Sequence, residues 1–171
     1  MRQSKLIARV LNSFLKVIAI SYFLVLMYSL FCIGTGYGIN ISEDGEMKYI
    51  QYPFSDKIFL IMQNNIPYIL FSFLLPLILY SLFFYLTSNV FRVFAMTKLF
   101  TRENANCLRL FYRYNLFVPF PVTLLASFFV EILNSIWLLV LLHFILGIFI
   151  YFLAEIFSQG IGLQDEQELY I

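Results

Sequence analysis

One histidine, His143, stands inside a run free of Asp, Glu, Lys and Arg, Ile132 to Ala154. A titratable group among so many apolar residues is costly to keep, which makes it a candidate functional side chain. The turn before this run centres near Leu133, and ten residues of helix carry His143 about 15 Å beyond it. Thr123 lies the same number of residues on the other side of the turn. The expected arrangement is a neutral imidazole hydrogen-bonded to that hydroxyl. A proton relay would need a second titratable group at the same depth, and the neighbouring runs supply none. Glu155 and Arg113 form a second candidate pair. They lie twenty-two and twenty residues from the turn on antiparallel helices, so they are expected to meet as an ion pair, with Arg109 as the other basic partner within reach. The third cluster closes the chain in "GIGLQDEQELYI" at 160–171, where Asp165, Glu166 and Glu168 follow a long apolar stretch.

None of these groups forms a catalytic constellation. The chain contains no HExxH, no GxSxG and no glycine-rich phosphate loop. Cys32 and Cys107 have neither a second cysteine nor a histidine at metal-ligand spacing. They are also expected on opposite sides of a membrane, where no disulfide can join them. The sequence therefore predicts no catalytic, cofactor-binding or metal-binding residues, and a protein that is not an enzyme.

The elements that must position these residues follow from composition. Of 171 residues, 61% are hydrophobic and 12% are charged. Soluble domains average about 45–50% apolar and about 25% charged. Four runs lack charge altogether: Val17–Ser42, Ile58–Phe91, Tyr114–Val130 and Ile132–Ala154. A crossing helix needs roughly 20 mainly apolar residues, and the runs do not alternate as barrel strands do. The expected fold is an all-α integral membrane protein with four transmembrane helices in an antiparallel bundle. The spans are placed at about 14–36, 66–91, 112–131 and 135–157. An external loop at 39–65, a cytoplasmic segment at 92–111 and a cytoplasmic tail at 158–171 complete a single domain.

Basic residues stay on the cytoplasmic side of such proteins. Arg2, Lys5, Arg9 and Lys16 precede or open the first span, and Arg92, Lys98, Arg102, Arg109 and Arg113 lie between the second and third. Only Lys48 and Lys57 lie in the first loop. Nine against two places both termini in the cytoplasm. In the external loop, "EDGE" at 43–46 is a turn signal between β-prone flanks 39–42 and 47–52, which predicts a small hairpin. Two strands alone are marginal, so the hairpin must lean on the membrane or on helix ends. Pro67 suits a helix's first turn, Pro76 should kink the second span, and "VPFPV" at 118–122 should bend the third.

The most informative internal stretch is "KLFTRENANCLRLFYRY" at 98–114. Thr101 is a natural N-cap, and Glu103 sits favourably in the first turn. Asn104 completes this candidate interaction segment. Helix is expected to run from here unbroken into the third span, with Arg102, Arg109 and Arg113 on its polar side. Five basic residues tied to a membrane suit anionic headgroups and do not make a nucleic-acid surface. Gly147 and Ala154, seven apart, predict a close-packing stripe on the last helix. Gly160 is placed where a helix usually stops. Beyond it Leu163, Glu166, Leu169 and Ile171 form a tail that either folds back on 92–113 or meets a partner.

Two of these stretches carry a resemblance. "LFTRENANCLR" at 99–109 and "AEIFSQGIGLQDEQELYI" at 154–171 resemble the signatures of a bacterial membrane family catalogued as domain of unknown function 2975. The resemblance spans essentially the whole chain. It departs where the family tail usually reads Asp-Leu-Thr and this chain reads Glu168, Leu169, Tyr170. The family's four-helix layout agrees with the spans above. Its members' frequent pairing with a small helix-turn-helix regulator implies a non-enzymatic regulatory or sensory partner of such a protein. The alternative is a small transporter or permease component built around the kinked spans and His143. Expected partners are the lipid bilayer, a cytoplasmic helix-turn-helix regulator and, through self-association, a homo-oligomer.

Overall fold

The computed structural model describes residues 2–168. The long apolar runs fold as helices, as their length requires. Helix α1 covers Arg2–Thr35 and absorbs the basic lead-in without a break. Three strands follow: β1 (Ile39–Ile41), β2 (Met47–Gln51) and β3 (Ile58–Gln63). A π-helical segment, Tyr68–Leu74, leads directly into α2 (Leu75–Ala95). Helix α3 (Arg102–Phe117), the short α4 (Pro119–Ala126) and α5 (Asn134–Glu168) complete the chain.

Three helical stretches are long and apolar enough to cross a membrane: Gln3–Thr35, Tyr68–Ala95 and Asn134–Gln167. Their outward faces are bare of polar cover. Phe23, Leu24, Leu138, Leu141, Phe149 and Phe152 are all exposed, as a lipid-facing surface requires. The third expected span, 112–131, is not one helix. Pro119 and Pro121 lack the N–H groups that would bond the carbonyls of Asn115 and Phe117. The helix accordingly divides at Val118, which ends α3 and starts α4. Neither piece, 16 and 8 residues long, crosses a bilayer alone.

The predicted hairpin is present, and it has a third member. The sheet is antiparallel in the order β1-β2-β3, with Ile39 opposite Ile50 and Tyr49 opposite Ile61. Ser42 and Asp44 close its first turn by a side-chain hydrogen bond, and Gly45 supplies the left-handed residue at φ 75°. Strand β3 uses residues that open the second charge-free run, so the loop 39–65 is mostly folded sheet. Ile50 and Met62 are buried with Cys32, Leu26, Ile69 and Leu74, and Tyr28 donates to the Gln51 carbonyl at 2.7 Å. The sheet thus rests on the ends of α1 and the π segment.

The helices pack as antiparallel neighbours. Ser81 of α2 donates to the Ala19 carbonyl of α1 at 3.1 Å, and Tyr22 meets Tyr80 and Phe84. Tyr114 of α3 donates to the Leu79 carbonyl of α2 at 2.7 Å. Helix α5 runs along α3, and the largest core joins α2, α3 and α5 toward the tail end through Leu86, Val93, Leu108, Phe111, Ala154 and Phe157.

Gly160 does not stop α5, which continues as helix through Gly162 to Glu168. Its role is spatial. A Cβ there would lie 2.5 Å from Cδ1 of Phe100. Gly147 makes a similar close approach, its missing Cβ falling 2.8 Å from Leu116. Ala154 is fully buried on the same helix, so the predicted small-residue stripe exists, while Gly160, six residues on and about 120° round the helix, makes a separate contact.

Candidate functional sites

Two regions gather the polar residues, one at each end of the α3–α5 pair. At the tail end, Thr101 caps α3 by accepting from the Asn104 amide at 3.2 Å. The Asn104 side chain is buried and donates to the carbonyls of Lys98 at 3.1 Å and Leu99 at 2.9 Å. One asparagine thereby fixes the α2–α3 connection. Glu103 lies 3.9 Å from Arg92, and Arg102 lies 3.8 Å from Asp165. The second contact ties the acidic tail back to the basic segment, one of the two arrangements the sequence allowed. It is solvent-exposed and therefore weak, of order 0–1 kcal/mol.

The expected Glu155 ion pair is absent among the described residues. Arg109 instead donates to Ser158 at 2.9 Å and to Asn106 at 3.2 Å, while Arg113 is exposed. Ser158 lies one turn past Glu155 on the same helix. A hydroxyl, itself bonded to the Ala154 carbonyl at 3.0 Å, takes the guanidinium. Leu163 and Glu166 are exposed on the last turns of α5, and Leu169 lies outside the described residues. Cys107 faces this region. Burial pushes its thiol up, against a smaller opposing pull from Arg92. Both cysteines are free.

Toward the sheet end, a cavity of about 880 Å³ opens between the π segment, α2, α4 and the start of α5. Residues at helical spacing form its walls: Ser72, Pro76 and Leu79 on one side, Ile136, Val140 and His143 on the other. Exposed Gln63, Asn65 and Glu131 line it, and so do the less exposed His143, Tyr80, Phe83 and Tyr114. His143 Nδ1 lies 2.7 Å from Oδ1 of Asn115, and Asn115 donates through Nδ2 to the Phe111 carbonyl at 2.8 Å. With the amide so oriented, Nδ1 carries the imidazole proton and Nε2 is left as an acceptor. Phe83 and the imidazole pack edge to face at 4.7 Å between centroids.

The expected hydroxyl partner, Thr123, lines the same cavity but does not hold the histidine. Depth counting assumed two straight helices about a tight turn. The chain instead breaks at Val118, and the residue that meets His143 lies eight positions, about two helical turns, before Thr123 in the chain: Asn115. Its signal in the sequence was an amide in an otherwise apolar run. No group of three or more metal-ligating side chains converges among the described residues.

This is a largely helical protein with three helices of membrane-crossing length, a small sheet at one end and polar clusters at both. More particularly, it belongs to the family described as protein of unknown function (DUF2975), which matches residues 39–171, from the first strand to the last residue. No curated protein and no solved structure matches the chain.

Proposed function

We propose that this chain is a multi-pass protein of the bacterial cytoplasmic membrane and a non-enzymatic partner of a cytoplasmic helix-turn-helix regulator. In this reading the bent α3–α4 unit is the third of four passes, both termini are cytoplasmic, and the sheet faces outward. The distribution of Lys and Arg supports the orientation. Reporter fusions after residues 55, 105 and 171 test it, with an outer signal expected only at 55.

The observation that carries the docking role is the continuation of α5 past Gly160. The tail is a helical arm, braced by Phe100 beneath Gly160 and by Arg102 beside Asp165. It holds Leu163 and Glu166 exposed next to the capped start of α3. An apolar residue beside acids on a fixed helix is a common form of recognition surface. The core between α2, α3 and α5 fills the tail half of the bundle, which favours a binding protein over a transporter with a continuous path. Affinity purification of the full-length chain from membranes, with and without residues 160–171, tests the reading. A regulator is expected to co-purify only with the intact chain and to be lost on Leu163→Asp. Equal recovery with both chains would sink the proposal.

A further inference from the structure

We propose that the cavity lined by His143 is a binding site for a neutral lipophilic phenol or alcohol, whose hydroxyl donates to His143 Nε2. This does not depend on the docking role of the tail.

Four features define the ligand. The cavity volume of about 880 Å³ falls within the roughly 300–1,000 Å³ of small-molecule sites. Its walls are mainly aromatic and aliphatic, Phe71, Leu75, Phe83, Phe129 and Leu139 among them, so the body of the ligand is apolar. No Lys or Arg lines the cavity among the described residues, while the exposed acid Glu131 does. An anion would share the cavity with a like charge and find no counter-ion. A full cation at the level of His143 would pay for desolvation with nothing opposite in charge there. The occupant is therefore uncharged.

The histidine then sets the polar contact. Asn115 is buried and locked by the Phe111 carbonyl, so it can only accept from His143. The imidazole is thereby held as the tautomer with Nε2 unprotonated. Nε2 has no protein partner among the described residues, and the ring belongs to the cavity wall. An acceptor fixed by a buried amide selects a donor. A hydroxyl is the uncharged donor that suits it.

The test uses full-length protein in lipid nanodiscs and a diazirine-bearing 4-octylphenol, with labelled residues mapped by mass spectrometry. Labelling is expected on the cavity faces of α2, α4 and α5. Unlabelled 4-octylphenol is expected to compete about three- to tenfold better than its methyl ether, 4-octylanisole, the worth of one hydrogen bond. The anion 4-octylbenzoate is expected not to compete. His143→Phe should abolish the preference for phenol over ether, and His143→Gln, which retains an acceptor, should preserve part of it. Thr123→Trp should fill the space and remove the labelling. Circular dichroism verifies that each variant is folded. Labelling spread over lipid-facing residues such as Leu138 and Phe149, or equal competition by phenol and ether in the wild type, would overturn the assignment. Mass spectrometry of extracts from freshly purified protein separates two sources. A co-purifying phenol or alcohol indicates a bilayer-resident ligand; an empty cavity that takes up added probe indicates one arriving from the aqueous side.

Discussion

Gly160 and Gly162 lie two residues apart on α5 and see opposite surroundings. Replacing either with alanine removes the same entropic penalty, about 1 kcal/mol in a helix interior. At Gly162 a new Cβ meets nothing within 4 Å, so the gain should appear undiminished. At Gly160 the new Cβ would fall 2.5, 2.8 and 2.9 Å from Cδ1, Cε1 and Cγ of Phe100. All three atoms belong to one ring, which packs edge-on against Phe157 at 5.3 Å. The ring must move, and overpacking of this kind costs about 1–3 kcal/mol. Gly162→Ala is therefore expected to stabilise by up to about 1 kcal/mol, and Gly160→Ala to be neutral or to destabilise by as much as about 2 kcal/mol. For a chain of this length each kcal/mol moves Tm by roughly 2–4 °C. Thermal unfolding of the two variants in one detergent, followed by far-UV circular dichroism, should separate them by at least about 2 °C, with Gly160→Ala the lower. If Gly160→Ala gains as much as Gly162→Ala, then Phe100 does not press on α5 and the brace under the tail does not exist.

Three further outcomes follow from the geometry. Asn115→Leu should cost about 1–3 kcal/mol, because it strands a buried imidazole donor, and the double variant Asn115→Leu/His143→Phe should recover much of that loss in thermal unfolding. Thr101→Ala should cost about 0.5–2 kcal/mol through loss of the α3 cap, while Thr101→Ser should cost little, by the same assay. Ser42 holds the Asp44 carboxyl below the usual carboxylate range, so that bond steadies the β1–β2 turn at neutral pH and is lost as pH falls through the folded-state pKa. Ser42→Ala should bring the Asp44 titration, followed by NMR, back toward its ordinary value.

What could be read from sequence was whatever depends on local chemistry or on length alone. Thr101 caps α3 because cap geometry needs only the next three residues. The stretches containing α1, α2 and α5 were legible because nothing but a helix hides so long an apolar run from lipid. Features that depend on what lies opposite were not legible. Ile58–Gln63 looks like the start of a span, since a buried strand and a buried helix share the same apolar composition over six residues. Only pairing with Met47–Gln51 makes it a strand. A glycine that ends a helix and one that admits a neighbouring ring are the same letter, and Gly160 proved to be the second kind. Asn115 was passed over because its partner is set by a broken helix, and the offset from that break does not show in residue counts.

The π segment carries a consequence of a different sort. Its hydrogen bonds reach five residues back, as in the Leu75 amide bonding the Leu70 carbonyl, so it accommodates more chain per turn than an α-helix. Pro76, which cannot bond the Ser72 carbonyl, sits just past its end and leaves the ladder free to widen. Chain length in this stretch is therefore a variable in its own right. Deleting a single residue between Tyr68 and Leu74 would let the segment close into an ordinary α-helix without disturbing the packing of α2 below. The wall formed by Tyr68, Phe71 and Ser72 would then turn by about 100° relative to His143. Insertions and deletions here, rather than substitutions, are the cheapest route by which related chains could reshape the cavity.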